Sequence, residues 1–341
     1  MTPVSSQPGI VFLEVETWEK DYLTQLCPPG WPICYYAEEA DRIDVEKIAD
    51  AEIISVFIYS NLDAALLSQL PTLRMIATRS TGVDHIDMAY CRSRNIVVSN
   101  VPSYGANTVA EHTFALLLSL SRKIYQARER TLHNNFSFHG LQGFDLKDKV
   151  LGVIGAGQIG QHVIRIAQGF EMQVLAYDPH QDASAGERLG FEYVALDELF
   201  ARADVISLHC PLTPATRHLI GKSAFQKMKR GVTLINTARG GIIDTDALLW
   251  ALDMGIVASA GLDVLEEEEA VREERELLTG HFDAAKLQAV LCNHVLANDE
   301  RVIITPHIAF NSQEAVARIL HTTVENIAAY LTQAPINVVN A

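Results

Sequence analysis

Short runs rich in Val and Ile alternate with stretches of helical period along the first hundred residues. Ile10–Val15, Ile53–Tyr59, Leu73–Arg79 and Asn95–Asn100 read as strands, and Thr17–Leu26, Asp63–Leu70 and Asp87–Arg94 as the helices between them. Strands alternating with helices of this length predict a parallel sheet covered on both faces. Past Val101 the pattern changes. VPSYGANTVAEH brings Pro and Gly, then Thr108 and Glu111 at capping-box spacing, which predicts a helix start at Thr108. Phe114, Leu117, Leu118 and Leu120 carry an apolar face onward, so a helix of about five turns is expected, ending in the basic run Arg122 to Arg130 and able to bridge two lobes. Residues 131–148 are irregular and aromatic-rich. A second series follows: strand Val150–Ile154, helix Gln158–Gly169, strand Met172–Tyr177, then strands at Val205–His209, Val232–Asn236, Ala258–Leu262 and Val302–Thr305.

A length of 341 residues suits two domains. Hydrophobic residues at 48% and charged residues at 20% exclude a disordered chain. Lys plus Arg is 27 against 42 Asp plus Glu, a net charge of −15. That balance argues against nucleic acid or an anionic membrane as partner. No apolar run approaches the ~20 residues that span a bilayer, and the N-terminus lacks the basic start and apolar stretch of a signal peptide. Cys27, Cys34, Cys91, Cys210 and Cys292 are scattered, without CxxC spacing, so neither a disulfide framework nor a metal site is expected. These features point to a cytoplasmic protein.

Chemistry first shows in GAGQIG. Gly155, Gly157 and Gly160 have GxGxxG spacing between a β-rich run and an apolar-periodic helix, and the next strand ends in Asp178. Gly155 allows a tight turn, Gly157 lets backbone approach a pyrophosphate, and Gly160 lets helix pack on strand. The phosphates meet the helix N-terminus. Asp178 is positioned to accept a ribose 2′-hydroxyl, and Pro179 and His180 follow rather than Arg or Lys, which favours NAD over NADP.

Three further segments place polar groups just past predicted strand ends: Arg239 in INTARGG, Asp263 and several Glu in LDVLEEEE, and His307 in TPHIAF. Ligands of open parallel sheets bind beyond those ends. An Arg, a Glu and a His there are the apparatus for carboxylate binding and general acid catalysis.

With STGVDHID, VPSYGANTVAEH, GAGQIG, LHCPLT, INTARG, LDV and TPHIAF in that order, the chain resembles the D-isomer-specific 2-hydroxyacid dehydrogenases over about residues 10–335. HTFALLL, VISLHCP and DTDAL make the D-lactate dehydrogenase branch the most similar. The resemblance implies two Rossmann-like or flavodoxin-like parallel-sheet α/β domains, the nucleotide domain inserted in a discontinuous substrate domain. Residues 102–305 would form the NAD-binding domain, and 1–101 with 306–341 the substrate (catalytic) domain. Pro102 and Pro306 are plausible crossings, since proline disfavours continued regular structure.

The resemblance also implies roles. Arg239 binds the substrate carboxylate and steadies the keto oxygen. His307 is the general acid and base. A Glu orients it; family spacing from Asp263 selects Glu268, with Glu266 and Glu267 as alternatives, and an acidic helical insert, Val271–Asn298, lies before His307. Backbone N–H groups of Thr81 and Gly82 bind the carboxylate, and Tyr104 and Phe310 line the pocket. Gln158 and Ile159 belong to the pyrophosphate loop. Cys210, Pro211 and Thr216 flank the adenosine half, and Thr237, Ala238 and Asp263 reach the nicotinamide half. His112, His209 and His294 are left as structural. The implied activity is NAD-dependent reduction of pyruvate to D-lactate, with glyoxylate, hydroxypyruvate or a bulkier 2-keto acid as alternative substrates. A phosphorylated substrate is disfavoured, because only Arg79 near STGVDHID offers an extra cation. The fold also hosts dinucleotide-sensing regulatory proteins. A homodimer through the nucleotide domain, using the helix near Thr108, completes the expectation.

Overall fold

The computed structural model describes residues 9–266 and 284–340. The chain forms two compact units, one of Met1–Tyr104 with Ser312–Ala341, the other of Gly105–Asn311. The boundaries fall a few residues beyond Pro102 and Pro306.

The first unit is built on a parallel sheet of β1 (Ile10–Phe12), β2 (Ile33–Tyr35), β3 (Ile53–Val56), β4 (Met75–Thr78) and β5 (Val97–Ser99), in the order β2-β1-β3-β4-β5. β1, β3 and β4 are buried along their whole length, as parallel strands covered on both faces must be. Val11, Ile54, Val56, Ile76 and Val98 share one core. Helix Gln313–Leu331 starts at Ser312, whose hydroxyl accepts the Ala315 N–H, and packs on β4. The C-terminal segment then runs antiparallel to β5, with Val339 N–H donating to the Val98 carbonyl.

Strands here are shorter than their apolar runs. β1 stops at Phe12 because Glu14 turns to a left-handed φ of +54°. Its carboxylate accepts N–H groups of Phe57, Tyr59 and Ser60, which ends β3 as well. β2 was not anticipated: three half-exposed residues at a sheet edge carry too little periodicity to register.

The second unit carries seven parallel strands: β6 (Val150–Ile154), β7 (Gln173–Tyr177), β8 (Glu192–Tyr193), β9 (Val205–Leu208), β10 (Val232–Asn236), β11 (Val257–Leu262) and β12 (Val302–Ile304). Their order is β12-β11-β10-β9-β6-β7-β8, a doubly wound sheet that reverses direction between β6 and β9. Successive residues feed opposite faces: Leu234 enters one core and Ile235 the other. Two-residue β8 is the other strand missed in the sequence.

Two expectations about the helix after Tyr104 need correction. It spans Ala106–Ser121 with Gly105 as N-cap, so Thr108 and Glu111 lie inside it and form no capping box. Thr108 is buried and the Glu111 carboxylate accepts from Asn107 Nδ2 instead. Nor does the helix run on for five turns. Lys123 adopts φ +52° and a second helix, Ile124–Leu132, begins there. The cause is tertiary: the Gly143–Phe144 loop closes on the helix end, and Phe144 N–H donates to the Ser121 carbonyl at 3.0 Å. The first helix belongs to the second unit, packed on helix Gln158–Gly169 and β11. Among the described residues, no helix is long and apolar enough to cross a membrane.

Candidate active site

The dinucleotide fingerprint sits at the reversal point of the second sheet. Gly155 ends β6 at φ +97°, and a Cβ there would lie 2.7 Å from Cys210 N, so the β6 and β9 ends can approach only with glycine between them. A Cβ on Gly160 would lie 2.1 Å from the Gly155 carbonyl oxygen; its absence lets the helix seat against the turn. At Gly157 nothing lies within 4 Å of such a Cβ, leaving open space before helix Gln158–Gly169. Gly157 is the N-cap and no side chain caps the helix, so its first N–H groups and the positive dipole end face that space. These features fit a pyrophosphate. Gln158 is exposed and Ile159 half-buried beside it.

Asp178 follows β7. One carboxylate oxygen accepts the Ala156 N–H at 2.9 Å and the other the His180 N–H at 2.8 Å. The carboxylate that would meet a ribose thus also braces the fingerprint loop. Beyond β9, His209 Nε2 lies 2.8 Å from Ser207 Oγ, and burial pushes its pKa down to about 3. Its buried Nδ1 has no partner among the described residues. Cys210 is a neutral thiol, pushed up to about 11 by burial, with the Asp178 charge adding to the effect. That suits packing rather than nucleophilic attack. Thr216 Oγ1 closes the next loop on the Pro211 carbonyl at 2.6 Å.

Past β10, Thr237 is buried, its hydroxyl 3.0 Å from that of Thr113. Asn236 supports the turn from both sides: its Oδ1 accepts the Ala238 N–H and its Nδ2 donates to the Arg239 carbonyl. Arg239 stands half-buried in extended backbone, with one guanidinium nitrogen donating to the Ala238 carbonyl at 2.7 Å.

Asp263 and His307 form the best-defined part of the site. Asp263 directly follows β11 and is 1% exposed. Its main-chain oxygen accepts the His307 N–H at 2.9 Å, its Oδ1 the Ile308 N–H at 2.9 Å, and its Oδ2 the Ala309 N–H at 2.8 Å. Three consecutive amides of the His307 segment therefore converge on one residue. His307 itself has φ +55°, a left-handed conformation uncommon for residues with a side chain, and here the Asp263 bonds hold it. Each carboxylate oxygen of Asp263, the residue expected at the nicotinamide half, thus also accepts an amide of the histidine segment. Phe310 follows, half-buried.

Of the four consecutive glutamates, Glu267, Glu268 and Glu269 lie outside the described residues, as does part of the expected insert. Glu266 accepts from Thr245 Oγ1 at 3.1 Å and lies 2.5 Å from His218 Nε2. Nothing in the sequence flags His218 as its partner, since 48 residues separate them.

In the first unit, Thr81 is exposed and Gly82 half-buried. Their loop is tied by Thr81 Oγ1 to the Val101 carbonyl, Asn100 Nδ2 to the Thr81 carbonyl, and Ser80 Oγ to the Gly82 carbonyl. Tyr104 is half-buried, its carbonyl accepting from Arg318 Nε. Arg79 is buried and donates to the carbonyls of Leu13, Glu14 and Ser55, so its charge is engaged inside the sheet. Among the described residues, no group of three His, Cys, Asp or Glu could hold a metal ion.

Residues 114–309 match the family described as D-isomer specific 2-hydroxyacid dehydrogenase, NAD binding domain. The chain is 37% identical over 320 residues to a D-lactate dehydrogenase of Escherichia coli (strain K12), covering 91% of this chain and 93% of that one. It is 40% identical over 281 residues to a 2-hydroxyacid dehydrogenase homolog of Haemophilus influenzae, covering 81% and 82%. A solved D-lactate dehydrogenase from Aquifex aeolicus, complexed with NAD and lactic acid, aligns with a TM-score of 0.85 at 37% identity over 95% of this chain and 96% of that one. These likenesses favour an enzyme over a regulatory protein. With fold, fingerprint and relatives in agreement along nearly its whole length, the chain belongs to the D-isomer-specific 2-hydroxyacid dehydrogenases and is an NAD-dependent oxidoreductase.

Proposed function

We propose that this protein reduces pyruvate to D-lactate, with Arg239, Glu268 and His307 as its catalytic residues. The observation that carries the proposal is the enforced pose of His307, held by Asp263 in the unit that bears the fingerprint. Bound NADH supplies the hydride. His307 gives a proton to the carbonyl oxygen and takes it back in the reverse direction. Arg239 offers a planar fork to the carboxylate and keto oxygen. Glu268 orients His307. The engagement of Glu266 by His218 and Thr245 supports Glu268 over Glu266.

Thr81 and Gly82 bind the carboxylate through backbone N–H groups, and Tyr104 and Phe310 line an apolar space suited to a methyl group. The engagement of Arg79 by main-chain carbonyls supports a substrate without a phosphate. Gly155, Gly157, Gln158, Ile159 and Gly160 hold the pyrophosphate, and Asp178 the ribose. Cys210, Pro211 and Thr216 flank the adenosine, while Thr237, Ala238 and Asp263 serve the nicotinamide end. The unpaired cysteines support a reducing, cytoplasmic setting. Exposed Ile124, Tyr125, Leu132, Phe136 and Phe138 support a homodimer through the second unit.

NADH consumption with a panel of 2-keto acids, followed by chiral analysis of the product, tests the proposal. Pyruvate should be turned over fastest and yield D-lactate, and His307→Ala should lower kcat by about 10²–10⁴-fold while NADH still binds. L-lactate, or no turnover of any 2-keto acid, overturns it. A preference for glyoxylate, hydroxypyruvate or a bulkier acid overturns the choice of substrate.

A further inference from the structure

We propose that His112 is a positioning residue for proton transfer, acting through Thr305 and Asp263 on the segment that carries His307. The proposal rests on the role assigned above to His307.

His112 lies in helix Ala106–Ser121. Its Nε2 is 3.1 Å from Thr305 Oγ1 and 3.4 Å from Asp263 Oδ1, and Thr305 Oγ1 is 2.5 Å from the same Asp263 oxygen. The directions of donation follow from the chemistry of the three groups. An ionised carboxylate only accepts, and a hydroxyl has a single proton. Thr305 therefore gives its proton to Asp263 and meets His112 with a lone pair. His112 must then carry its hydrogen on Nε2, pointed at both oxygens. Donation runs from the helix, through the threonine, to the carboxylate.

That carboxylate is the anchor of the His307 segment. Ile308 and Ala309 donate to its two oxygens and His307 to its main-chain oxygen. Ile308 and Ala309 hold the two carboxylate oxygens from the His307 segment itself. Thr305 adds a hydroxyl donor at Oδ1, and His112 brings an N–H to within 3.4 Å of the same oxygen from a different element, so the anchor is braced by more than the segment it holds. His112 also draws on a rigid support, since its helix packs against helix Gln158–Gly169 and β11. Without the Nε2–H, Thr305 loses the partner that holds its hydroxyl toward Asp263. The Ile308 and Ala309 bonds then loosen, and His307, at φ +55°, loses part of what enforces its backbone. Proton transfer falls steeply when the donor is misplaced by about 1 Å.

The test compares His112→Leu, which removes the donor, with His112→Gln, which restores an N–H donor on a side chain of similar reach. In the unmodified protein and both variants, kcat and KM for the 2-keto acid, the dissociation constant of NADH, and hydrogen exchange of the 305–310 segment are measured. His112→Leu should lower kcat about threefold to tenfold, as loss of one neutral hydrogen bond implies, leave NADH affinity unchanged, and speed exchange in 305–310. His112→Gln should recover most of both effects. Thr305→Val, which cuts the same relay at its middle, should reproduce the Leu phenotype and serves if His112→Leu fails to fold. Unchanged kcat and exchange in the Leu variant, loss of NADH affinity in step with kcat, or a Gln variant as impaired as Leu would each overturn the proposal. If the unmodified protein reduces no 2-keto acid, the proposed function fails by itself; the exchange comparison, which needs no substrate, still decides whether His112 holds this segment.

Discussion

At Asp178 two demands meet on one carboxylate. It braces the fingerprint loop through the Ala156 N–H, and each oxygen keeps a lone pair for a ribose hydroxyl. Hydrogen bonds to a charged group contribute about 1.5–3 kcal/mol, so Asp178→Ala should raise KM for NADH by roughly 10–100-fold, with less change for NADPH. Steady-state kinetics with both cofactors checks this; equal use of the two by the unmodified protein would sink it. His209 makes a different prediction. Its folded pKa, about 3, lies far below the ~6.5 of an exposed histidine. The unfolded chain therefore binds the proton more readily. The stability that a neutral His209 provides is full above pH 6.5 and is lost as pH falls from there toward 3, at up to about 1.4 kcal/mol per unit. His209→Gln should flatten the fall of Tm between pH 6 and 4, and parallel profiles would rule this residue out. The fingerprint glycines and Asp178 were readable because each needs only a local turn and a strand on either side. The bonds of His112, Glu266 and Asp263 were not, because their partners come from distant parts of the chain.

Elements were legible where local signals agreed. Helix Gln158–Gly169 and strand Val232–Asn236 keep the limits their apolar periods predict. The long helix is the counterexample. Its pattern runs on past Ser121, yet the Phe144 amide takes the Ser121 carbonyl and the chain turns at Lys123. Gly143 makes that closure possible, because a Cβ there would lie 2.0 Å from the Ser121 oxygen. Gly143→Ala must push loop and helix apart, at a cost of about 1–3 kcal/mol, which lowers Tm by roughly 3–10 °C in a unit this size. Gly169→Ala is the control: its Cβ meets nothing within 4 Å and it ends a helix, so Tm should hold or rise slightly. Equal Tm values for the two variants, read by thermal melts, would count against tight closure at Gly143.

Across the whole molecule, the second unit is one uninterrupted stretch with a core on each face of its sheet, whereas the first needs both ends of the chain. A fragment of residues 105–311 should therefore fold cooperatively and bind NADH with no keto-acid reduction. Circular dichroism melts and NADH fluorescence test this. A fragment that melts without a transition would mean that the second core is not self-sufficient. At this scale the alternation of strand and helix announced parallel sheets, but the order β12-β11-β10-β9-β6-β7-β8 could not be read from it. Strand order depends on which faces cover one another, and hydrophobic periodicity reports a face without naming its partner.

What the sequence determined by itself is the chemistry carried in short windows. The glycine spacing and the acid after β7 announced a dinucleotide site, and the Arg, Glu and His past successive strand ends a group for carboxylate binding and acid catalysis, because each motif is complete within a strand and its following turn; the resemblance of the ordered motifs added the dehydrogenase. The tertiary structure decided what those residues are held by. Asp263 gathers three amides of the His307 segment, His112 reaches the same carboxylate from another element, Glu266 is drawn to His218, and Gly143 ends a helix whose own sequence would continue. In each case a buried polar group must find its partner in space, and the chain brings that partner near only after the sheet has assembled.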